Sequence, residues 1–225
     1  MSSTLSELYL RNLDNKVQSH EDVIYSARYV DDIIIITTPK KSESVEQKIK
    51  TMLSELSLEI NQKPNKYYSS ETKSAKFDFL GYQIQVEDAK NKPNKISLTI
   101  SQPKINKIKL KITQSLLANK KSKNIQLLKR RMEYLSMLTK VRKGKNGDLL
   151  AGIANNYQYV TDEFQCLKKI DGFICHQIIK TRYKLTTFEQ QTIKKISLYG
   201  NAINRKTGKF SKNQTTLITS IWKNA

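Results

Sequence analysis

The sequence predicts an α+β protein. An antiparallel sheet with packed helices is expected over residues 1–102, a basic helical segment over 103–147 and a mostly helical region over 148–225. Three observations carry this reading. Asp31-Asp32 sits between two runs of strong strand former, Val23-Ile24-Tyr25 and Ile33-Ile34-Ile35-Ile36, as at the tip of a hairpin. Alternation returns at Tyr82, Ile84 and Val86, and again at Ile96, Leu98 and Ile100. Beyond Gln102-Pro103 the apolar period becomes helical.

In chain order, Leu5, Leu8, Tyr9 and Leu13 give residues 5–17 one helical stripe. Strands follow at about 23–30 and 33–37. Four successive isoleucines imply burial on both faces, so this hairpin is expected to lie centrally in a larger sheet. Ser42 to Leu58 reads as a helix, with Val45, Ile49, Met52, Leu53 and Leu56 on one face and Glu43 and Glu46 in its first turn. A turn is expected at Pro64-Asn65, and Lys66-Tyr67-Tyr68 is a candidate strand start. Residues 77–86 read as one strand, with Gly81 marking a bulge or a close backbone approach. It is expected to pair with 95–100 across a turn at Asn91 to Asn94.

Past Pro103, Ile105, Ile108, Ile112 and Leu116 share one helical face and Lys104, Lys107 and Lys111 another. In 124–140, Ile125, Leu128, Met132 and Leu135 form the core stripe, with Lys129, Arg130 and Arg131 expected to stand off it. Residues 143–147 read as a basic turn, 161–182 and 186–199 as helices, and 206–213 as a basic loop leading to a short segment with Trp222. Apolar residues at helical spacing in these segments are core rather than a cofactor box.

Composition narrows the function classes. Forty Lys and Arg against 20 Asp and Glu give a formal charge of +20 over 225 residues. That excess implies a polyanionic partner. Between Lys90 and Lys145 there are 17 Lys or Arg and one acid, Glu133. No apolar run approaches the roughly 18 residues needed to span a bilayer, and the N-terminus does not read as a signal peptide, so a cytoplasmic protein without a membrane partner is expected. Cys166 and Cys175, nine positions apart with His176 nearby, do not make a zinc site and are expected to be free.

An Asp pair alone is most often a turn. Two adjacent carboxylates at a hairpin tip also repel each other. A divalent cation relieves that repulsion, and oxygen ligands suit Mg²⁺. The wider pattern is Tyr29-Val30-Asp31-Asp32 followed by four isoleucines, with Phe79-Leu80-Gly81-Tyr82 about fifty residues later across a helix.

On these residues the chain resembles the C-terminal half of a bacterial reverse transcriptase, of the group that includes retron, group II intron and phage-defence enzymes. Ala27 to Asp32 resembles the catalytic box, and Phe79 to Tyr82 the Phe-Leu-Gly element of the primer grip. Ser2 to Asp14 is similar to the end of the substrate-loop motif with its following helix. Leu58-Glu59-Ile60-Asn61, followed by lysines, is similar to the next palm motif.

The resemblance implies part of a polymerase palm over 1–102, a helical thumb over 103–147 and a C-terminal extension over 148–225. It implies an RNA-directed DNA polymerase with two Mg²⁺ ions, Mn²⁺ being the alternative, acting on an RNA template, a DNA primer and dNTPs. Asp31 and Asp32 would be the catalytic, metal-binding carboxylates. Tyr29 and Val30 would lie along the primer terminus, and Leu80 and Gly81 would support the primer backbone. Lys63 and Lys66 are both candidates for the general acid, since Pro64 interrupts the motif. Lys104, Lys107, Lys111, Lys129, Arg130 and Arg131 would hold the nucleic-acid backbone.

The family takes a further aspartate from a palm strand before the substrate loop, which in this chain would precede Met1. A truncated or split polymerase, inactive alone, is therefore expected, in a retron or anti-phage defence system. The absence of a Cys/His cluster in 148–225 makes the intron role less attractive. The alternatives are a non-catalytic nucleic-acid-binding module and a subunit that completes an upstream fingers–palm chain.

Overall fold

Where one helix is expected over 5–17, two form: α1 (Ser3–Tyr9) and α2 (Arg11–Gln18). The break falls at Leu10, which turns into the core and is buried with Leu13 and Val17, while Leu5 and Leu8 stay exposed. The structure, a computed structural model, describes residues 3–63, 66–70, 74–88, 94–144 and 147–222. It divides into two compact units, Met1–Leu80 with Ile84–Ile96, and Gly81–Gln83 with Ser97–Ala225.

In the first unit, β1 (Val23–Tyr29) and β2 (Asp32–Thr37) form an antiparallel hairpin with Ser26 opposite Ile35, Arg28 opposite Ile33 and Tyr29 opposite Asp32. Helix α3 (Ser42–Glu55) lays Val45, Ile49 and Leu53 against Leu10, Leu13 and Val17, and Val23 and Ile35 pack on this cluster. Leu58 and Ile60 join it from the chain beyond α3.

The expectation of a central hairpin is corrected. Among the described residues β1 and β2 make a two-stranded sheet, and Ile36, Tyr25 and Tyr29, which share one face, are exposed. Successive strand residues face opposite ways, so only one side of the isoleucine run reaches the helices.

Residues 77–86 are also not one strand. They divide into β3 (Ala75–Phe79) and β4 (Tyr82–Glu87), because Leu80 and Gly81 both adopt positive φ, 50° and 81°. Two such residues in succession are what a two-residue type I′ hairpin turn requires. With β5 (Lys95–Ile100) the sheet order is β3-β4-β5, so the second pairing is β4 with β5. The division between the units runs through β4 and β5. Lys66-Tyr67-Tyr68 is not a strand, although Tyr68 stacks on Phe77 with ring centroids 5.3 Å apart. The turns expected at Pro64-Asn65 and at 91–93 lie outside the described residues.

The second unit is mainly helical. Helix α4 (Gln102–Ser122) starts with Pro103 in its first turn and ends at Lys123 in the left-handed conformation. Helix α5 (Ile125–Ser136) is capped by Asn124, whose side chain accepts from the Leu127 amide. The helix expected to reach 140 stops there. Residues 138–144 form β6 (Leu138–Gly144), paired antiparallel with β7 (Gly147–Ala151), so the supposed basic turn belongs to a ribbon whose Lys145 and Asn146 lie outside the described residues. The β-branched Thr139 and Val141 favour the extended form over a further helical turn.

The chain continues through α6 (Ile153–Asn156), α7 (Gln165–Ile178), α8 (Thr187–Lys194) and α9 (Leu198–Ile203). The strand β8 (Thr207–Gly208), parallel to β6, and α10 (Lys212–Thr219) complete it. Asp171 on α7 accepts from the Leu198 and Tyr199 amides and from Ser197 Oγ, which closes the N-terminus of α9.

The expected boundary at 147 does not separate two bodies. One core takes Ile112, Leu116, Leu128, Met132 and Leu138 together with Leu167, Ile170, Ile174, Tyr183, Ile193 and Leu198. Trp222 closes it from the C-terminal side, with Nε1 donating to the Lys111 carbonyl at 3.1 Å and to Ser115 Oγ at 3.3 Å. Cys166 and Cys175 are free, as expected. Among the described residues no helix is long and apolar enough to cross a membrane.

Candidate active site and nucleic-acid interface

The β1–β2 turn consists of Val30 and Asp31, since Tyr29 pairs with Asp32. Val30 carries a positive φ of 60°. That places the left-handed residue first in a two-residue loop, which suits the twist of a hairpin. It is costly for valine, because left-handed backbone brings the β-carbon against the following carbonyl, at about 1–2 kcal/mol. Replacing Val30 by Asn, which tolerates this region, is expected to raise the melting temperature by the equivalent of about 1 kcal/mol. A lower melting temperature would show that the packing of the valine side chain outweighs its strain.

Asp31 and Asp32 are exposed and, among the described residues, their carboxylates have no hydrogen-bond or ion-pair partner. They offer two adjacent hard oxygen donors. Mg²⁺ is commonly held by one or two carboxylates, with water and substrate phosphate completing its shell, so this donor set fits the ion. Among the described residues no group of three or more His, Cys, Asp or Glu side chains is poised to hold a metal. Tyr29 is exposed beside the pair.

Behind the turn lies a network that the sequence reading missed. Arg28 is inward-facing with a side chain 4 % exposed, and it meets Asp14 and Glu7. Its hydrogen bonds to Asp14 hold its pKa above the ordinary arginine value, against the opposing effect of burial, and Glu7 adds to the rise. The available signal was an arginine as the one charged residue of a strand, where an inward-facing guanidinium needs a carboxylate.

Lys63 and Lys66 are exposed, and no ion pair links either to Asp31 or Asp32. The Lys66 and Tyr67 amides both donate to the Lys63 carbonyl.

The second unit gathers the charge. It holds 26 Lys or Arg and 6 Asp or Glu, whereas the first unit holds 14 of each. The whole formal excess of +20 is therefore carried by one body. Lys104, Lys107 and Lys111 lie on α4 over seven residues, about 10 Å of helix. None of the three has a carboxylate partner among the described residues. Lys104 Nζ lies 5.4 Å from the Tyr82 ring centroid, and Lys111 Nζ the same distance from that of Trp222. Burial lowers the pKa of Lys104. Burial and then the charge of Lys107 lower that of Lys111.

Gly81 belongs to this unit as well. A β-carbon there would come 3.3 Å from Cδ of Lys104, so the glycine leaves room for the lysine stem. Leu80, the other residue of that turn, is exposed.

On α5 the expected trio splits. Lys129 and Arg130 are on the surface and share Glu133, at 3.9 and 3.2 Å. Arg131 does not stand off the core stripe. It is 4 % exposed, Nε donates to the Ile218 carbonyl at 3.4 Å, and burial lowers its pKa. The reason is helical spacing, since 131 lies three after Leu128 and four before Leu135 and so shares their face. Arg131 ties α5 to α10 and is withdrawn from the set of backbone contacts.

No family model matches the chain, and neither the curated proteins nor the solved structures include a match.

Proposed function

We propose that the protein is part of an RNA-directed DNA polymerase and works on a template–primer duplex. The observation that carries the reading is the Tyr29-Val30-Asp31-Asp32 turn, a tight hairpin presenting two unpartnered carboxylates. Leu80-Gly81, at a second two-residue turn with Lys104 beside it, supports the same assignment.

In this reading Asp31 holds Mg²⁺, with Asp32 as a second or indirect ligand. The ions supply a lowered pKa for the primer hydroxyl and charge neutralisation on the triphosphate. Tyr29 and Val30 lie along the primer terminus, Leu80 and Gly81 along its backbone, and Lys63 or Lys66 donates a proton to the leaving pyrophosphate. Lys104, Lys107, Lys111, Lys129 and Arg130 hold duplex phosphates without reading sequence. The family's further aspartate belongs to a palm strand upstream of the substrate loop, and the enzyme works in the cytoplasm in a retron or anti-phage defence system.

Primer extension on an RNA template tests this. The 225-residue chain alone is expected to be inactive, and mixing it with an upstream fingers–palm fragment of a retron-type enzyme is expected to give Mg²⁺-dependent DNA synthesis that Asp31→Asn abolishes. Synthesis by these 225 residues alone would overturn the need for the upstream aspartate. Duplex binding with no synthesis in any mixture would favour the second reading, a nucleic-acid-binding module, which the concentration of charge in one unit supports.

A further inference from the structure

Arg28 precedes Asp31 by three residues on β1. A buried guanidinium is costly unless its donors are met. Here they are. Nε donates to Asp14 Oδ1 at 2.8 Å and Nη2 to Asp14 Oδ2 at 2.6 Å, a two-pronged pair. Nη2 and Nη1 also reach the two Glu7 carboxylate oxygens, at 3.1 and 3.3 Å. Nη1 donates in addition to the Val30 carbonyl at 2.8 Å. That carbonyl takes a second bond from Ser6 Oγ at 3.1 Å, and Ser6 is itself buried.

The acceptor is the informative part. Val30 is the strained residue of the turn, and its carbonyl belongs to the peptide that leads into Asp31. An unfavourable conformation persists where its surroundings over-determine it. Two donors on one carbonyl fix the plane of that peptide, and with it the direction in which the next two side chains leave the hairpin. Glu7 lies on α1 and Asp14 on α2, so the guanidinium ties the turn to both helices at once. Only the planar fork of arginine serves three acceptors in this way, which an ammonium cannot reproduce.

We propose that Arg28 is a positioning residue for Asp31 and Asp32. Anchored by Asp14 and Glu7, and assisted by Ser6, it holds the Val30 carbonyl and so presets the carboxylate pair for a divalent cation. Its functional consequence rests on the reading of those aspartates as metal ligands. Its geometric content does not.

The test uses the 225-residue chain, backbone ¹⁵N relaxation, and line broadening by Mn²⁺. Wild type is expected to be rigid at Val30, Asp31 and Asp32, with order parameters of about 0.85. Arg28→Lys keeps the charge and loses the fork. It is expected to drop those three residues below about 0.6 while Ser26 and Ile35 stay rigid. Mn²⁺ affinity at the turn is expected to weaken about tenfold.

Unchanged order parameters at the turn would overturn the proposal. So would a loss spread evenly over β1 and β2, which would make Arg28 a general support of the fold. Should Arg28→Lys fail to fold, Ser6→Ala decides, because it removes one donor to the carbonyl and leaves the ion pairs intact. A smaller drop confined to the same three residues supports the proposal, and none overturns it. Wild type whose turn resonances are no more broadened than those of Asp31→Asn would set aside the metal reading, while the order parameters still decide the positioning role.

Discussion

Replacing Lys104, Lys107 and Lys111 together by Gln is expected to weaken binding to an RNA–DNA duplex about a hundredfold at 0.1 M salt. The slope of log affinity against log salt should flatten by about three units. Each lysine that neutralises a phosphate releases close to one counterion, so the slope counts contacts directly. Helix α4 presents these cations over about 10 Å, enough for three phosphates at roughly 3.4 Å of axis each. Unlike Lys129 and Arg130, which share Glu133, they are not already neutralised by a neighbouring carboxylate.

Two controls sharpen the experiment. Arg131→Met should leave the slope unchanged, since that guanidinium is buried against the Ile218 carbonyl. Raising the pH should also weaken binding before ordinary lysines titrate. Burial lowers the Lys104 and Lys111 pKa values, so their charge, and the contacts that need it, are present at neutral pH and lost early as pH rises. An unchanged salt slope in the triple variant would return α4 to the status of a solvated basic face.

Leu167→Ala is expected to destabilise the second unit by about 4 kcal/mol, measured by denaturant titration. Leu167 on α7 is fully buried, and α7 packs against α4, α8 and α9 within the shared core. Truncation removes the transfer free energy of three carbons and leaves a hole that walls drawn from so many elements cannot close together. A loss under about 1 kcal/mol would mean that the surrounding helices relax into the gap. The same variant tests whether 103–147 is a body of its own. If one core spans both segments, a probe on α5 and a probe on α8 should report the same midpoint.

Local chemistry made much of this legible in the sequence. The hairpin over 23–37, the helix beginning at Ser42, read to Leu58 and ending at Glu55, the switch to helical period at Gln102-Pro103 and the core stripe of α4 follow from strand propensity, apolar spacing and proline, all of which act within a few residues. Tyr29-Val30-Asp31-Asp32 could be picked out as a candidate site for the same reason, because a carboxylate pair between two β-branched runs has few other places to go.

What failed were inferences about partners distant in sequence. The isoleucine run could not reveal that only one of its faces would be covered. The Phe-Leu-Gly stretch could not reveal that two successive positive φ angles would turn a presumed bulge into a hairpin.

By itself, then, the sequence determined the α+β class, the position of the aspartate turn and the basic character of the chain. These depend on composition and short-range pattern. Only the tertiary structure placed the entire excess charge in one unit, took Arg131 out of the basic face and set Arg28 beneath Val30. Each of these depends on which residues meet across tens of positions, such as Arg131 with Ile218 or Arg28 with Glu7. An arginine carries the same charge in solvent and in a core. The side chain opposite it decides whether that charge grips a phosphate, joins two helices or aims a pair of carboxylates.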